Sequence, residues 1–298
     1  MNFENWDEIR TAYQVARVGT VSGAAEVLGV HHATVIRHVD ALEARLGTKL
    51  FQRHPRGYTP TEAGQQLLAV GQATEDQFAQ LAARIAGAGE EVRGELIITS
   101  LPSLSGLVMP ALADLMQAHP NLVLRYLTDQ RVFRLEYGEA HVAIRAGNRP
   151  TEPDNVVQVL GQNRVALYAS EAYLAKFGRP AGIHDLAGHR FVASDARDSR
   201  APFFRWLSAN VPADQVVFMA NELVSQAAAV QAGIGLGFIP VLEAEHMPWL
   251  IEVVPPQPEW ESSLWLVSHV DLHRTPKVQA ALKALKAAAA RCGAGTEV

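Results

Sequence analysis

The stretch from residue 21 to residue 64 constrains the fold of this chain more than any other, because it predicts two short helices joined by a tight turn. Ser22 is placed to cap the first helix, and Gly29 can adopt the left-handed backbone that ends it. Four apolar residues of the second helix share one face at helical spacing: Val35, Val39, Leu42 and Leu46. This pattern predicts a helix-turn-helix whose second helix buries one face and leaves the other free for a DNA groove.

The opposite face of the second predicted helix, Ala33–Arg45, is polar and basic. A helix of this kind can enter the major groove of double-stranded DNA and read base edges. The residues predicted to contact DNA from this motif are Ser22, His31, His32, Thr34, Arg37 and His38. The pair His31 and His32 does not favour a metal site, because adjacent side chains point apart and no cysteine or carboxylate cluster lies nearby in the sequence.

A basic hairpin is predicted directly after this motif, in residues 49–58 (KLFQRHPRGY). Its Pro-Arg-Gly tip marks a turn, so we expect a wing whose Arg53 and Arg56 contact phosphate or the minor groove. Between Val27 and Pro60 five Lys or Arg residues outnumber two acids, whereas the whole chain holds 26 Lys and Arg against 31 Asp and Glu. A basic segment in an acidic chain indicates that this segment alone faces DNA phosphate.

Two further helices are predicted around the helix-turn-helix. Apolar residues from Trp6 to Ala16 share one helical face and predict a first helix that packs under it. A longer helix, capped by Thr61 and running to about Gly87, has a heptad-like seam. The predicted dimerisation residues on that seam are Leu67, Thr74, Phe78, Leu81 and Ile85. The alternative is that this helix packs only on its own domain.

From Arg93 onward the sequence alternates between predicted strands and helices. Such alternation predicts doubly wound α/β sheets that are covered on both faces. Because roughly 200 residues of this pattern exceed one small sheet, we expect two α/β subdomains with a cleft between them.

Several polar side chains follow predicted strands, where open α/β sheets collect their ligands. The residues predicted to bind a small molecule are Ser100, Leu101, Ser103, Thr128, Arg145, Ala146, Ser194 and Asn221. Because the serines precede a helix start and an arginine can hold a carboxylate, a small anionic ligand is expected. Two structural alternatives stay open: the serines only cap the helix, or Arg145 forms an ion pair with Asp129.

The sequence lacks the motifs GxSxG, GxxxxGK[ST] and HExxH, and a GxGxxG that follows a strand, so it offers no sign of an enzyme. Cys292 is the only cysteine, which excludes an intramolecular disulfide and a cysteine-rich zinc site. No cofactor is expected. The N-terminus does not have the features of a signal peptide and no run of about 18 apolar residues occurs, so the expected location is the cytoplasm and no membrane contact is expected.

Short phrases in residues 24–64 resemble, in order, those of the LysR-type transcriptional regulators. The phrases are Ala24-Ala25, Leu42-Glu43 with Leu46-Gly47, Leu50-Phe51-Gln52-Arg53 and Thr61-Glu62-Ala63-Gly64. The chain departs from the family where members commonly have Ser-Gln, at His31-His32, and where a serine is common, at Ile36. These departures bear on base preference rather than on how the motif docks.

The resemblance implies a winged helix-turn-helix at residues 1–61, a linker (dimerisation) helix and hinge at residues 62–90, and an effector-binding domain at residues 91–298. That domain would be similar to periplasmic solute-binding proteins. Subdomain I would take residues 91–161 and 263–292 and subdomain II residues 162–262, with crossings near Leu160–Asn163 and Pro255–Ser262. The resemblance also implies a homodimer or tetramer that binds promoter DNA, responds to a small effector and has RNA polymerase as a partner.

Two other classes of function stay open on the sequence. One is a solute-binding or enzymatic α/β domain that carries an accessory helix-turn-helix, and turnover of a ligand would favour it. The other is a chromosome-shaping protein, which binding without sequence preference would favour. The acidic remainder of the chain argues against this last class.

Overall fold

The computed structural model describes residues 5–55, 57–85, 92–129, 131–195 and 201–293. The chain forms two compact units. Their ranges are Met1–Glu91, Phe133–His141 and His269–Pro276 for the first unit, and Val92–Val132, Val142–Ser268 and Lys277–Val298 for the second. Two short segments from the region expected to bind the effector therefore belong to the N-terminal unit.

The first unit contains three helices, a two-stranded hairpin and a long helix. They are α1 (Trp6–Val18), α2 (Val21–Leu28), α3 (His32–Leu46), β1 (Phe51–His54), β2 (Gly57–Pro60) and α4 (Glu62–Ile85). This is the predicted winged helix-turn-helix with its long helix. Gly19 and Gly29 end α1 and α2 with φ of 77° and 65°, a conformation that glycine adopts without a steric cost.

The N-cap of α2 is Thr20, so the prediction that Ser22 caps this helix is wrong. The Thr20 hydroxyl accepts a hydrogen bond from the Gly23 amide at 3.2 Å, which satisfies a donor that has no partner within the helix. Because the helix begins at Val21, Ser22 lies inside its first turn, where its side chain is exposed.

The predicted apolar face of α3 is confirmed. Val35, Val39 and Leu42 are fully buried and pack with apolar residues of α1, α2 and β1. Leu46, at the end of the helix, is only partly buried. Burial of an aliphatic side chain stabilises the fold by about 1.5–3 kcal/mol, so these three residues determine which face of α3 points outward.

A buried carboxylate ties α3 to the wing. Glu43 is 3% exposed, and its Oε1 accepts hydrogen bonds from the amides of Leu50 at 2.9 Å and Phe51 at 3.3 Å. Its Oε2 accepts from Lys49 Nζ at 2.7 Å and from Arg53 Nη2 at 2.8 Å. All four donors lie in β1 or in the two residues before it, so one side chain sets the angle of the wing on α3.

These donors keep the carboxyl of Glu43 charged. Burial raises its pKa, but the hydrogen bonds from Lys49 and from the Leu50 amide, together with the charge of Arg53, outweigh burial and hold the pKa below its ordinary value. A lowered pKa contributes stability that is complete above the unfolded-state pKa and is lost as the pH falls through the folded-state pKa.

Tyr13 of α1 contacts the middle of α4. Its ring lies against Gly71, where an added Cβ would come within 2.5 Å of the ring. Its hydroxyl lies 2.8 Å from Gln72 Oε1 and 2.7 Å from Glu75 Oε2. Burial and the Glu75 carboxylate raise the pKa of Tyr13, so the hydroxyl stays protonated and able to donate. A side chain at position 71 would separate the two helices.

Most of the remaining elements belong to the second unit. The strands are β3 (Gly94–Ser100), β4 (Leu122–Thr128), β5 (Val142–Ala146), β6 (Asn155–Asn163), β7 (Val165–Ala169), β8 (Phe191–Ser194), β9 (Val216–Ala220), β10 (Leu236–Pro240), β11 (Ile251–Val254) and β12 (Ser262–His269). The helices are α5 (Ser105–Ala118), α6 (Glu171–Phe177), α7 (Pro202–Asn210), α8 (Leu223–Gln231), α9 (Val241–Ala244), α10 (Val270–His273) and α11 (Pro276–Arg291). Of these, α10 lies in a segment of the first unit.

The two predicted α/β subdomains are confirmed, and each is built on a five-stranded mixed sheet. The strand orders are β4-β3-β5-β12-β6 and β11-β7-β10-β8-β9. The parallel pairs lie at one side of each sheet, β3 with β4 and β5, and β8 with β9 and β10. β12 runs antiparallel to β5, and β7 runs antiparallel to β10 and β11.

The chain passes between the two sheets at two places. β6 ends at Asn163 and β7 begins at Val165, so a single residue joins the first sheet to the second. The return runs from β11 through a 3₁₀ turn at Pro258–Trp260 to β12. Trp260 is fully buried, with its ring 4.8 Å from that of Phe238 and 5.2 Å from that of Trp206, which anchors the return in the core of the second sheet.

We expect Glu43→Ala to lower the free energy of unfolding by about 2–5 kcal/mol, because it leaves two amides and Lys49 without their acceptor and removes one of the two carboxylates that hold Arg53. Asp40→Ala is the matched control. Asp40 also binds Arg53, at 2.6 Å, but its side chain is 50% exposed, so its loss should cost less than about 1 kcal/mol. Urea unfolding measures both variants, and equal losses would contradict the role given to Glu43. The deficit of Glu43→Gln should shrink as the pH falls through the folded-state pKa.

Candidate DNA-binding surface and effector cleft

The outward face of α3 presents most of the residues predicted to contact DNA. Arg37 is exposed in the middle of this face, and Thr34, one turn earlier, is half-buried. His31 is the N-cap of α3, although its side chain makes no capping hydrogen bond, and the side chains of His31 and His32 are both exposed. These residues therefore lie together at the start and the centre of one helix face.

His38 lies at the edge of that face and is held by α1. Its Nδ1 lies 2.9 Å from the hydroxyl of Thr11, which is itself only 4% exposed. Sequence reasoning assigned no role to Thr11, because its partner is 27 residues away and no local pattern marks the contact. The ring of His38 is thus fixed by a side chain outside the helix-turn-helix.

Most of the bases around α3 are engaged in ion pairs within the unit. Arg45 lies 2.8 Å from the buried carboxylate of Glu8, and Lys49 lies 2.7 Å from Glu43. Arg37 is exposed and forms no ion pair with any other residue in the described part of the chain. The positive excess that the sequence shows here is therefore largely balanced at short range.

The structure gives Arg53 a role that sequence reasoning missed. It was expected to contact phosphate or the minor groove, but its Nη2 lies 2.6 Å from Asp40 Oδ1 and 2.8 Å from Glu43 Oε2. Its guanidinium also lies over the ring of Tyr58, at 5.2 Å. Two carboxylates and a ring hold this side chain, so Arg53 fixes the wing against α3. Arg56, the other predicted wing contact, lies outside the described residues.

Part of the predicted dimerisation seam on α4 is exposed to solvent. Phe78 is 58% and Leu81 46% exposed, and the exposed Trp6 of α1 places its ring 6.3 Å from that of Phe78. Leu67 packs instead on the helix-turn-helix core, and Thr74 donates a hydrogen bond to its own helix, at Val70 O. The side chain of Ile85 lies outside the described residues. The free apolar surface is thus formed by α1 and α4 together.

α4 also contacts one of the two later segments of the first unit. Gly138 has φ 66° and lies against Ala69, so close that an added Cβ would come within 3.1 Å of the Ala69 Cα. Leu135, in the 3₁₀ turn before Gly138, is buried. This segment leads directly into β5. The long helix therefore has a close contact with the part of the chain that enters the second unit.

A cleft of about 540 Å³ in the second unit is lined by the last residue of β4 and by residues that follow β3, β4 and β9. The lining residues are Pro102, Thr128, Asp129, Asn221 and Glu222. Two of the eight predicted effector residues, Thr128 and Asn221, are therefore brought together. Leu101, Ser103, Ala146 and Ser194 are half-buried and are not among the lining residues.

The hydroxyl of Ser100 makes hydrogen bonds within the chain and does not line the cleft. The side chain is buried, the hydroxyl donates to Leu101 O at 2.8 Å, and its oxygen lies 2.6 Å from the hydroxyl of Tyr126. A serine has one hydrogen to donate, so none is left for an anionic ligand. Sequence reasoning could not foresee this, because Tyr126 comes from the neighbouring strand.

Arg145 pairs with Glu152, and not with Asp129 as one alternative proposed. Its Nη1 lies 3.1 Å from Glu152 Oε1. The pKa of that carboxyl is lowered first by a hydrogen bond from the Glu152 amide and further by the charge of Arg145. Asp129 instead lies 3.5 Å from Arg131. Arg145 is therefore held outside the cleft that the five lining residues define.

The start of α5 already holds a carboxylate. The amide of Gly106, in α5, donates to Glu243 Oε1 of α9 at 3.2 Å. The hydrogen bond therefore joins the two subdomains. A helix N-terminus favours negative charge, which is why an anionic ligand was expected here. The chain supplies that charge itself, from a residue 137 positions later in the sequence.

Among the described residues, no group of three or more His, Cys, Asp or Glu side chains is arranged to hold a metal ion. No helix in the described ranges is both long enough and apolar enough to span a membrane.

Two families match nearly the whole chain. Residues 6–65 match the family described as "Bacterial regulatory helix-turn-helix protein, lysR family". Residues 89–290 match the family described as "LysR substrate binding domain". The first range holds the winged helix-turn-helix, and the second holds both mixed sheets.

Curated proteins of similar sequence are named as HTH-type transcriptional regulators. The HTH-type transcriptional regulator CrgA of Neisseria meningitidis serogroup B is 29% identical over 187 residues, which are 62% of this chain and 62% of CrgA, less than two thirds of that protein. The probable HTH-type transcriptional regulator LtrA of Klebsiella pneumoniae is 25% identical over 99% of this chain and 98% of its own.

A full-length OxyR variant from Pseudomonas aeruginosa has the same fold, with a TM-score of 0.75 at 16% identity, over 99% of this chain and 97% of that one. The two family matches cover most of the sequence, and they coincide with the winged helix-turn-helix and with the two-sheet unit. The chain therefore belongs to the LysR family of bacterial helix-turn-helix regulatory proteins.

Proposed function

We propose that this LysR-type regulator binds promoter DNA sequence-specifically as a homodimer or tetramer, and that a small molecule in the cleft alters its activity. The arrangement of α3 carries the proposal. Its apolar face is fully buried, the wing is fixed beside it through Glu43, and Arg37 is exposed on the outward face. A supported helix with a free polar face is what entry into the major groove requires. Contact with RNA polymerase stays a prediction from the family resemblance.

The exposed residues of α3 and α2 divide into two roles under this proposal. Thr34 and Arg37 are placed along the helix to reach base edges. Ser22, His31 and His32 lie in the first turns of their helices, where amides and short polar side chains contact phosphate. Arg56, which the sequence places between β1 and β2, is expected to contact phosphate, while Arg53 positions the wing.

Arg37→Ala should weaken binding to the preferred site by about 1–3 kcal/mol and change binding to random duplex DNA much less, because one base contact is lost. The measurement is a titration of both DNAs by fluorescence anisotropy over a range of salt. Arg291→Ala, which removes an exposed arginine of the second unit, is the control and should change neither affinity. If Arg37→Ala weakened both DNAs equally and reduced the salt slope by about one, Arg37 would be a phosphate contact instead.

We propose that a second copy of the chain covers the apolar surface formed by Trp6, Phe78 and Leu81. All three side chains are strongly exposed, and Trp6 and Phe78 already contact each other edge to face. Exposed apolar side chains grouped in this way mark interaction sites. The heptad spacing of Phe78 and Leu81 suits a helix–helix contact between copies.

Phe78→Asp and Leu81→Asp should shift the protein to smaller assemblies, because each places an unpaired charge in the proposed interface. Analytical ultracentrifugation gives the oligomeric state. Val27→Asp, at a site that is 51% exposed on α2, is the matched control and should leave the assembly intact. An unchanged assembly in both seam variants would show that this surface does not hold the copies together.

The cleft lining favours a ligand that carries an amino or other cationic group, in place of the anionic ligand expected from the sequence. Glu222 and Asp129 both line it, and the charge of Asp129 is only partly balanced by Arg131 at 3.5 Å. Asn221 can donate and accept, and Thr128 adds a hydroxyl. The helix start that could have held an anion is occupied by Glu243.

A thermal-shift screen on the full chain, with size-matched amines and carboxylates, tests this ligand class. We expect amines to raise the melting temperature and Glu222→Gln to reduce that rise, because the attraction between opposite charges is lost. Ser103→Ala, beside the cleft but outside its lining, should leave the rise unchanged. Carboxylate hits that are insensitive to Glu222→Gln would contradict the proposed ligand class, and chemical conversion of a hit would favour an enzyme.

A further inference from the structure

The contact between Thr11 and His38 determines which nitrogen of His38 carries a proton. The Thr11 hydroxyl donates to the Asp7 carbonyl at 2.6 Å, and a carbonyl can only accept. Since a hydroxyl has one hydrogen, Thr11 Oγ1 must be the acceptor at its second contact, 2.9 Å from His38 Nδ1. His38 Nδ1 is therefore the donor, and it carries the proton.

The other ring nitrogen then has a defined property. A neutral imidazole has one protonated and one unprotonated nitrogen, so Nε2 of His38 is left as a hydrogen-bond acceptor. Nε2 lies across the ring from Nδ1 and so points away from Thr11 and α1. No described residue is hydrogen-bonded to it, and the ring is half-buried at the edge of the outward face of α3. The acceptor thus lies on the side of the ring that faces away from α1.

We propose that His38 determines specificity by accepting a hydrogen bond from an exocyclic amino group in the major groove, with Thr11 as the positioning residue. This rests on the proposed function, because it requires α3 to lie in that groove. Adenine N6 and cytosine N4 present donors there, whereas guanine O6 and thymine O4 present acceptors. A fixed acceptor on the protein therefore selects adenine or cytosine over guanine or thymine at one position of the contacted strand.

The neighbouring Arg37 has the opposite preference. A guanidinium can only donate, and its preferred partner in the major groove is guanine. Adjacent positions of α3 thus offer a donor and an acceptor to the same stretch of DNA. The second of these depends on a threonine in α1, so base preference is set partly outside the recognition helix.

Binding-site selection from a randomised duplex DNA library, followed by sequencing, tests the proposal. Wild type should prefer adenine or cytosine at one position of each half-site by about two- to tenfold, the value of one neutral hydrogen bond. Thr11→Val keeps the side-chain shape but removes the acceptor, so the preference should be lost or shift towards guanine or thymine. Thr11→Ser keeps the hydroxyl and should retain it. His38→Phe, which keeps a ring but has no acceptor, should lose the preference at this position and keep it elsewhere.

A preference that survives Thr11→Val, or the lack of any position that depends on His38, would overturn the inference. Failure of wild type to enrich any sequence would contradict the proposed function instead. Nitrogen NMR of ¹⁵N-histidine-labelled wild type provides a measurement that needs no stable variant at position 11. When the ring is neutral, His38 should show a protonated Nδ1 and an unprotonated Nε2, and the opposite tautomer would overturn the inference.

Discussion

Glu43 accepts hydrogen bonds from two amides and two cationic side chains while it is buried in the angle between α3 and the wing. A carboxylate in that position stabilises the fold only if it is charged and every donor is in place, since an unpaired buried charge costs several kcal/mol. Under the proposed function, the outward face of α3 and the wing meet DNA together, so the angle between them matters. The interaction that fixes this angle therefore underlies the whole DNA-binding unit.

The same arrangement changes how the local charge should be understood. Counting residues gives a basic segment, but Arg45, Lys49 and Arg53 are each held by a carboxylate of the same unit. Much of the positive charge thus organises the protein, and Arg37 stays exposed on the outward face of α3. Composition indicates where DNA binds, but it does not distinguish a base that contacts phosphate from one that positions its neighbours.

The sequence predicted the elements whose signals are local, and it failed where the signals are not. The buried face of α3 follows from helical spacing. Ser100 was assigned to a ligand because its partner Tyr126 lies on another strand, and the carboxylate of Glu243 at α5 could not be anticipated from a separation of 137 residues. For the same reason, local patterns did not reveal the role of Thr11.

The most direct test of the central role of Glu43 is a carbon-detected NMR titration of its carboxyl group in the full chain, assigned with Glu43→Gln. If four donors keep the buried group charged, its titration midpoint lies below the ordinary glutamate pKa, and the wing amides of Leu50 and Phe51 respond at the same midpoint. A midpoint at or above the ordinary value would contradict this account. The effect of burial on the pKa of Glu43 would then exceed that of the hydrogen bonds that join α3 to the wing.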